Sequence, residues 1–152
     1  MRIGVISDTH GLLRPQALEA LRGSDHILHA GDVGDPTILD ALKAIAPITA
    51  IRGNIDTHGQ CAQLPPTELV EFDGLSLYML HDLNALDLDP VSAGIGAILS
   101  GHSHQPKIER RSGVLYFNPG SAGPRRFSLP ITLGLLEIQS GQIEPRLIHL
   151  PL

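Results

Sequence analysis

Apolar residues fall along this chain in two rhythms, and the change between them divides it. In the first third, short apolar runs alternate with stretches whose apolar residues recur every three or four positions. Arg2–Ser7, His26–Ala30 and Pro47–Ile51 have the length and content of buried strands. Between them, Ala17, Leu18 and Leu21 share one helical face, and Ile38, Leu39, Leu42 and Ile45 share another. Each helical stretch opens on a proline, Pro15 or Pro36, which suits a first turn, and Asp35 stands at an N-cap position. This β-α-β-α-β order predicts a parallel sheet with right-handed crossovers. Farther on, Glu68–Asp73 and Leu75–Leu80 flank Gly74 as a hairpin, a short helix is expected near Val91–Gly94, and Ala97–Ser100 is another strand. Lys107–Arg111, Val114–Phe117, Ile131–Ile138 and Ile143–Leu150 follow, separated by Ser112-Gly113, Asn118-Pro119-Gly120 and Ser140-Gly141, which signal antiparallel turns. Parallel units followed by hairpins predict an α/β protein of two sheets packed face to face, with helices outside. No repeat or linker interrupts the pattern, so residues 1–152 read as one domain.

Composition narrows the function more than the fold. A chain of 152 residues with 42% hydrophobic and 18% charged positions can bury a sizeable core. A net charge of −5 disfavours binding of extended nucleic acid and leaves a small phosphate ester as a candidate substrate. The single Cys61 excludes an internal disulfide and fits a reducing compartment. No leader-like or membrane-spanning run is visible, and a cytoplasmic protein is expected. With eight histidines and one cysteine, any metal site must use nitrogen and oxygen ligands.

Those ligands fall in one place on every unit. Each strand end carries a metal-binding residue type: Asp8 and His10, then Asp32, Asn54, His81, and finally His102 and His104. A lone His-x-His carries little weight, and Asp8, Asp32 or Asn54 taken singly are ordinary turn residues. In open α/β sheets, however, the loops at the carboxyl ends of the strands converge, so seven such residues at five strand ends have a reason to meet. Carboxylate, imidazole and amide ligands without thiolate suit manganese, iron or zinc in a hydrolytic centre. Seven ligands are too many for one ion with an open position, and two divalent ions about 3.5–4 Å apart are the natural count.

Asp8-x-His10, Gly31-Asp32, Gly53-Asn54, His81 and Gly101-His102-x-His104 resemble the five motifs of the calcineurin-like metallophosphoesterases. Length and spacing resemble the small single-domain bacterial and archaeal phosphodiesterase branch, which shares its fold with a retromer subunit, and Asn118-Pro119-Gly120-Ser121 is similar to a loop of that branch. The resemblance implies a four-layer α/β-β/α sandwich of two mixed sheets. It also implies one metal on Asp8, His10, Asp32 and His104, and a second on Asp32, Asn54, His81 and His102, with Asp32 bridging. On this reading His10, Asp32 and Asn54 are catalytic, and a metal-bridging hydroxide attacks the phosphorus in line. Manganese is the favoured ion, with iron, nickel, zinc and magnesium as alternatives. The implied activity is hydrolysis of a small phosphodiester. The rivals are a phosphomonoesterase or nucleotidase on the same site, and a non-catalytic scaffold that binds other proteins.

Two departures from the family pattern bear on mechanism. Many members have a histidine after the Asn54 position that helps to protonate the leaving group; here Ile55 stands there, with Asp56 and His58 the nearest substitutes. Where the family commonly has His-Gly-His, this chain has His81-Asp82-Leu83. Arg52 and Arg125 are candidate substrate contacts, as is Asp56, and the Arg125-Arg126 pair is equally suited to contact with a second copy.

Overall fold

The computed structural model describes residues 1–152 and places them in two five-stranded sheets. The first sheet holds β1 (Arg2–Ile6), β2 (His26–His29) and β3 (Ile48–Ala50) in parallel, with β9 (Thr132–Gln139) and β10 (Gln142–His149) added antiparallel beyond β1. The second has the order β4-β5-β6-β8-β7, built from β4 (Thr67–Phe72), β5 (Leu75–Leu80), β6 (Ala97–Leu99), β7 (Lys107–Arg111) and β8 (Val114–Asn118). Within it β5, β6 and β8 run parallel.

Alternation along each strand assigns its two faces. Ile3, Val5 and Leu28 of the first sheet meet Leu77, Met79, Leu99 and Phe117 of the second in the core between the sheets. Ile6 and Ile27 point the other way, against α1 (Pro15–Leu21) and α2 (Pro36–Lys43), which bury Ala17, Leu21, Ile38 and Leu42. Asp35 caps α2 as its position suggested, accepting from Thr37 N at 3.0 Å. The outer face of the second sheet carries a thinner layer, in which Leu83, Leu86 and Leu88 cover Tyr78, Leu80 and Ile98.

The expected helix near Val91–Gly94 is a single turn. Asp89 caps its start, accepting from Val91 N and Ser92 Oγ, but Gly94 takes φ 72° and ends it before a second turn forms. Three of the expected hairpin turns form, but Asn118-Pro119-Gly120 makes none, because the chain leaves β8 there and crosses to β9 in the other sheet. Asp73-Gly74, Ser112-Gly113 and Ser140-Gly141 all have positive φ at both central residues, which matches the right-handed twist of the flanking strands. For function, the important outcome is that six parallel strands (β1, β2 and β3, then β5, β6 and β8) each end in a loop bearing a polar side chain.

Candidate metal centre

The loops after β1 and β2 remain tied together beyond the last strand residues. Asp8 N donates to Gly31 O at 3.0 Å, His10 N to Asp32 O at 2.9 Å and Gly11 N to Val33 O at 2.9 Å. Asp8, His10, Asp32, His102 and His104 all lie in the left-handed region, with φ between 46° and 72°. Such backbone is unfavourable for residues other than glycine and gathers at functional sites.

Each aspartate has one oxygen pinned and one presented. Asp8 Oδ2 accepts from Ser7 Oγ at 2.7 Å and from His102 N at 3.1 Å, which leaves Oδ1 without a partner. Asp32 Oδ1 accepts from Ile55 N at 3.0 Å, and its Oδ2 faces the imidazoles. His10 and His104 form one ring pair and His81 and His102 another, each with centroids 5.2 Å apart. Asp8 Oδ1 lies 3.4 Å from His104 Nε2 and 3.7 Å from Nε2 of both His10 and His81. Asp32 Oδ2 lies 3.3 Å from His10 Nε2 and 3.1 Å from His81 Nε2. Two ligands bound at about 2.1 Å to one cation, at right or tetrahedral angles, stand about 3.0–3.4 Å apart, and most of these spacings fall in or near that range. Asp8, His10 and His104 make one ligand group, and Asp8, Asp32 and His81 a second.

The donor set fits cations for a further reason. Asp8 Oδ1, His10 Nε2 and His81 Nε2 are buried and find no hydrogen-bond partner, a costly arrangement that a cation at this point would relieve. His81 Nδ1 donates to Ala30 O at 2.7 Å, which turns its Nε2 lone pair toward the aspartates. Burial favours neutral Asp8, but the imidazoles of His10 and His104 and the Ser7 hydroxyl hold its carboxyl well below the usual range. Burial would also raise Asp32, yet His81 and the Ile55 amide lower it. His81 moves the opposite way: burial disfavours its cation, and the Asp32 carboxylate with the Ala30 carbonyl raises its pKa. Asp32 and His81 thus favour each other's charged forms, and a metal bound here competes with a proton for His81 Nε2.

Asn54 and His102 stand at the solvent-facing rim, with His102 Nδ1 3.2 Å from Asn54 Oδ1. Two clefts flank them. One of about 460 Å³ is lined by Ser103, Lys107 and Tyr116, and one of about 430 Å³ by Arg52, Thr67, Tyr78 and His81; Asp82 and His102 belong to both. Arg52 is thus at a cleft wall, although its Nη1 donates to Leu64 O at 2.9 Å.

Two suggested substrate contacts lie away from both clefts. The Asp56 carboxylate is buried and accepts from the amides of Val33, Gly34 and Gly53, so it joins the Asp32 and Asn54 loops and does not face substrate. Arg125 bonds back to Leu129 O at 3.0 Å within its own loop and lines neither cleft. Sequence reasoning did not assign the residues that hold the ligands in place. Ser7 fixes Asp8 Oδ2, Ser121 Oγ donates to Asp8 O, and Asn118 Nδ2 donates to Gly101 O and Ser103 Oγ. Asn118 and Ser121 lie in the Asn118-Pro119-Gly120-Ser121 loop that resembled the family, whereas the only signal for Ser7 was its place directly after β1.

Glycine is required at two of these loops. A Cβ on Gly53 would overlap Asp32 Oδ1 and the Asp32 amide, and one on Gly101 would meet Ser7 Oγ and Asp8 Oδ2. Gly101→Ala is expected to cost about 1–3 kcal/mol by overpacking and to weaken metal binding more than that loss of stability explains. Denaturant midpoints and metal titrations on the variant separate the two effects.

The match to known proteins is consistent with this geometry. Residues 1–141 match the family model described as the calcineurin-like phosphoesterase superfamily domain. The chain belongs to that superfamily. A probable metallophosphoesterase of Methanothermobacter thermautotrophicus is 33% identical over 98% of this chain and 92% of the relative. Among solved structures, one described as a novel archaeal phosphodiesterase has a TM-score of 0.80 at 24% identity, covering 97% of this chain and all of that one. Vps29 of Entamoeba histolytica complexed with zinc has a TM-score of 0.75 at 22% identity, covering 98% of this chain and 99% of its own. This calcineurin-like phosphoesterase therefore has the metallophosphoesterase fold and a cluster of metal-binding residue types, and none of its helices is long and apolar enough to cross a membrane.

Proposed function

We propose that this chain is a metal-dependent phosphodiesterase acting on a small ester through two divalent ions, manganese first among them. The observation that carries the reading is the pair of presented carboxylate oxygens, Asp8 Oδ1 and Asp32 Oδ2, among three imidazole Nε2 atoms at 3.1–3.7 Å. Asp8, His10, Asp32 and His104 hold one ion; Asp32, Asn54, His81 and His102 hold the other. Bound there, the ions supply an activated water and neutralise charge on the phosphoryl oxygens. The protein's own contribution is placement. Ser7 and the His102 and Ile55 amides fix which oxygen each aspartate offers, and the Ala30 carbonyl fixes the His81 tautomer. Asn54 Nδ2, which makes no bond within the protein, is free to donate to a phosphoryl oxygen at the rim. The two clefts meeting at His102 suit an ester with an arm on each side of the phosphorus, which favours a diester over a monoester.

The test is metal analysis with hydrolysis of bis(p-nitrophenyl) phosphate and p-nitrophenyl phosphate, after chelation and after restoring manganese, magnesium, nickel or zinc. Diester turnover that vanishes on chelation and returns best with manganese is the expected result. A preference for the monoester would replace the diesterase reading. A protein that takes up no metal and turns over neither ester would be a scaffold.

A further inference from the structure

Two buried groups beside the centre have no role in it so far: His29, the last residue of β2, and Thr9, which lies between Asp8 and His10. Their hydrogen atoms can be accounted for completely. Thr9 Oγ1 donates its single hydrogen to Val33 O at 2.9 Å, so toward His29 Nε2, at 3.0 Å, it accepts. This places the ring hydrogen on Nε2. On the other side of the ring, Gly31 N donates to Nδ1 at 3.1 Å, which requires a lone pair there. Two separate constraints thus select the same neutral tautomer, and a doubly protonated ring would set Nδ1–H against the Gly31 amide hydrogen.

The relay joins the two loops that carry the presented carboxylates. Gly31 precedes Asp32 and Val33 follows it, while Thr9 sits between two ligands of the other loop. Three backbone bonds still tie the loops here, but Asp8 and Asp32 both have φ 57°, outside strand geometry, so their side-chain directions also depend on what braces the loops through side chains. We propose that the His29–Thr9 pair is a positioning device that sets the separation of the Asp8–His10 loop from the Asp32 loop, and with it the span of the metal centre. This rests on the metal-binding reading above. A pair that merely filled the core would change stability on substitution but leave the affinity of the folded protein for metal unchanged.

The experiment uses the full chain and three variants, with manganese titrated in competition with a chromophoric chelator below each protein's melting temperature. Thr9→Val keeps the shape and removes the hydroxyl. His29→Asn keeps an acceptor for the Gly31 amide but cannot reach Thr9, and Thr9→Ser restores the hydroxyl. Thr9→Val and His29→Asn are expected to weaken manganese binding about 10–100-fold, as for groups that orient ligands without touching the metal, with Thr9→Ser near wild type. Folded Thr9→Val and His29→Asn proteins that bind manganese like wild type would overturn the proposal. A wild-type protein that binds no manganese would instead overturn the proposed function. In that event long-range proton–nitrogen spectra still test the relay: a His29 ring protonated on Nε2 is expected, and one protonated on Nδ1 would sink it.

Discussion

Replacing Asp32 by asparagine is expected to remove metal-dependent turnover while leaving the fold in place. The two aspartate oxygens do separate jobs. Oδ1 accepts from the Ile55 amide at 3.0 Å, a task an amide oxygen performs equally well, so the loop that carries Asn54 keeps its anchor. Oδ2 faces His10 and His81 at 3.3 and 3.1 Å, and there an amide offers neither the charge nor the basicity a divalent ion needs. Without metal, the variant also replaces the carboxylate that stands 3.1 Å from His81 Nε2 by a neutral amide. The decisive comparison is therefore the response to metal. An ion at a hundred times its Kd stabilises a folded protein by about 2.7 kcal/mol, which in a chain of this length raises Tm by about 5–10 °C. Wild type should show that rise with manganese and Asp32→Asn should not. Its turnover should fall by more than the 10–100-fold typical of losing a group that only orients a ligand. Thermal melts with and without manganese, beside diester hydrolysis, decide the matter. A variant that retained both the rise and the rate would remove Asp32 from the centre.

Sequence pattern reached further into the fold than into the site, for physical reasons. Strands and turns depend on local rhythm and on residues such as Gly74, Gly113 and Gly141, so the order of elements could be read directly. The Val91–Gly94 helix was misjudged because Asp89 and Ser92 provide a good start, and whether a helix continues depends on the conformation Gly94 takes. In the site, the ligand residue types were visible because each ends a strand. What no local pattern reveals is where the second oxygen of a carboxylate goes. Asp56 stood out as an acidic side chain two residues after Asn54, yet three amides from two loops converge on it. His29 lies in an apolar run and reads as core; its contacts come from residues 20 positions upstream in sequence and two downstream. The left-handed backbone at Asp8 and Asp32 was equally invisible, because it is imposed by the hydrogen bonds between neighbouring loops.

Turnover is expected to depend steeply on the leaving group. A poor leaving oxygen needs a proton as its bond to phosphorus breaks, and no group beside Asn54 is placed to give one. Ile55 is apolar, 37% exposed and tied by its amide to Asp32. Asp56 is enclosed by its three amides. His58 is exposed, stands 3.2 Å from Thr57 Oγ1 and lines a different depression, with Gly59 and Cys61. General-acid assistance is worth about 10²–10⁴-fold where the leaving group is poor and far less where it is good. Aryl diesters should therefore be hydrolysed far faster than alkyl diesters of similar size, with log kcat falling as the leaving-group pKa rises. Ile55→His supplies the missing donor at the rim. It should flatten that slope, raise alkyl-diester turnover by up to about 10²-fold, barely alter the p-nitrophenyl ester, and make the added alkyl-diester turnover fall as pH rises through the imidazole pKa of about 6.5. Equal rates for aryl and alkyl diesters in the wild type would mean either that another group delivers the proton or that a step other than bond breaking limits the rate. Solvent isotope effects on the two substrates then separate these cases, since only proton delivery in the rate-limiting step slows in heavy water.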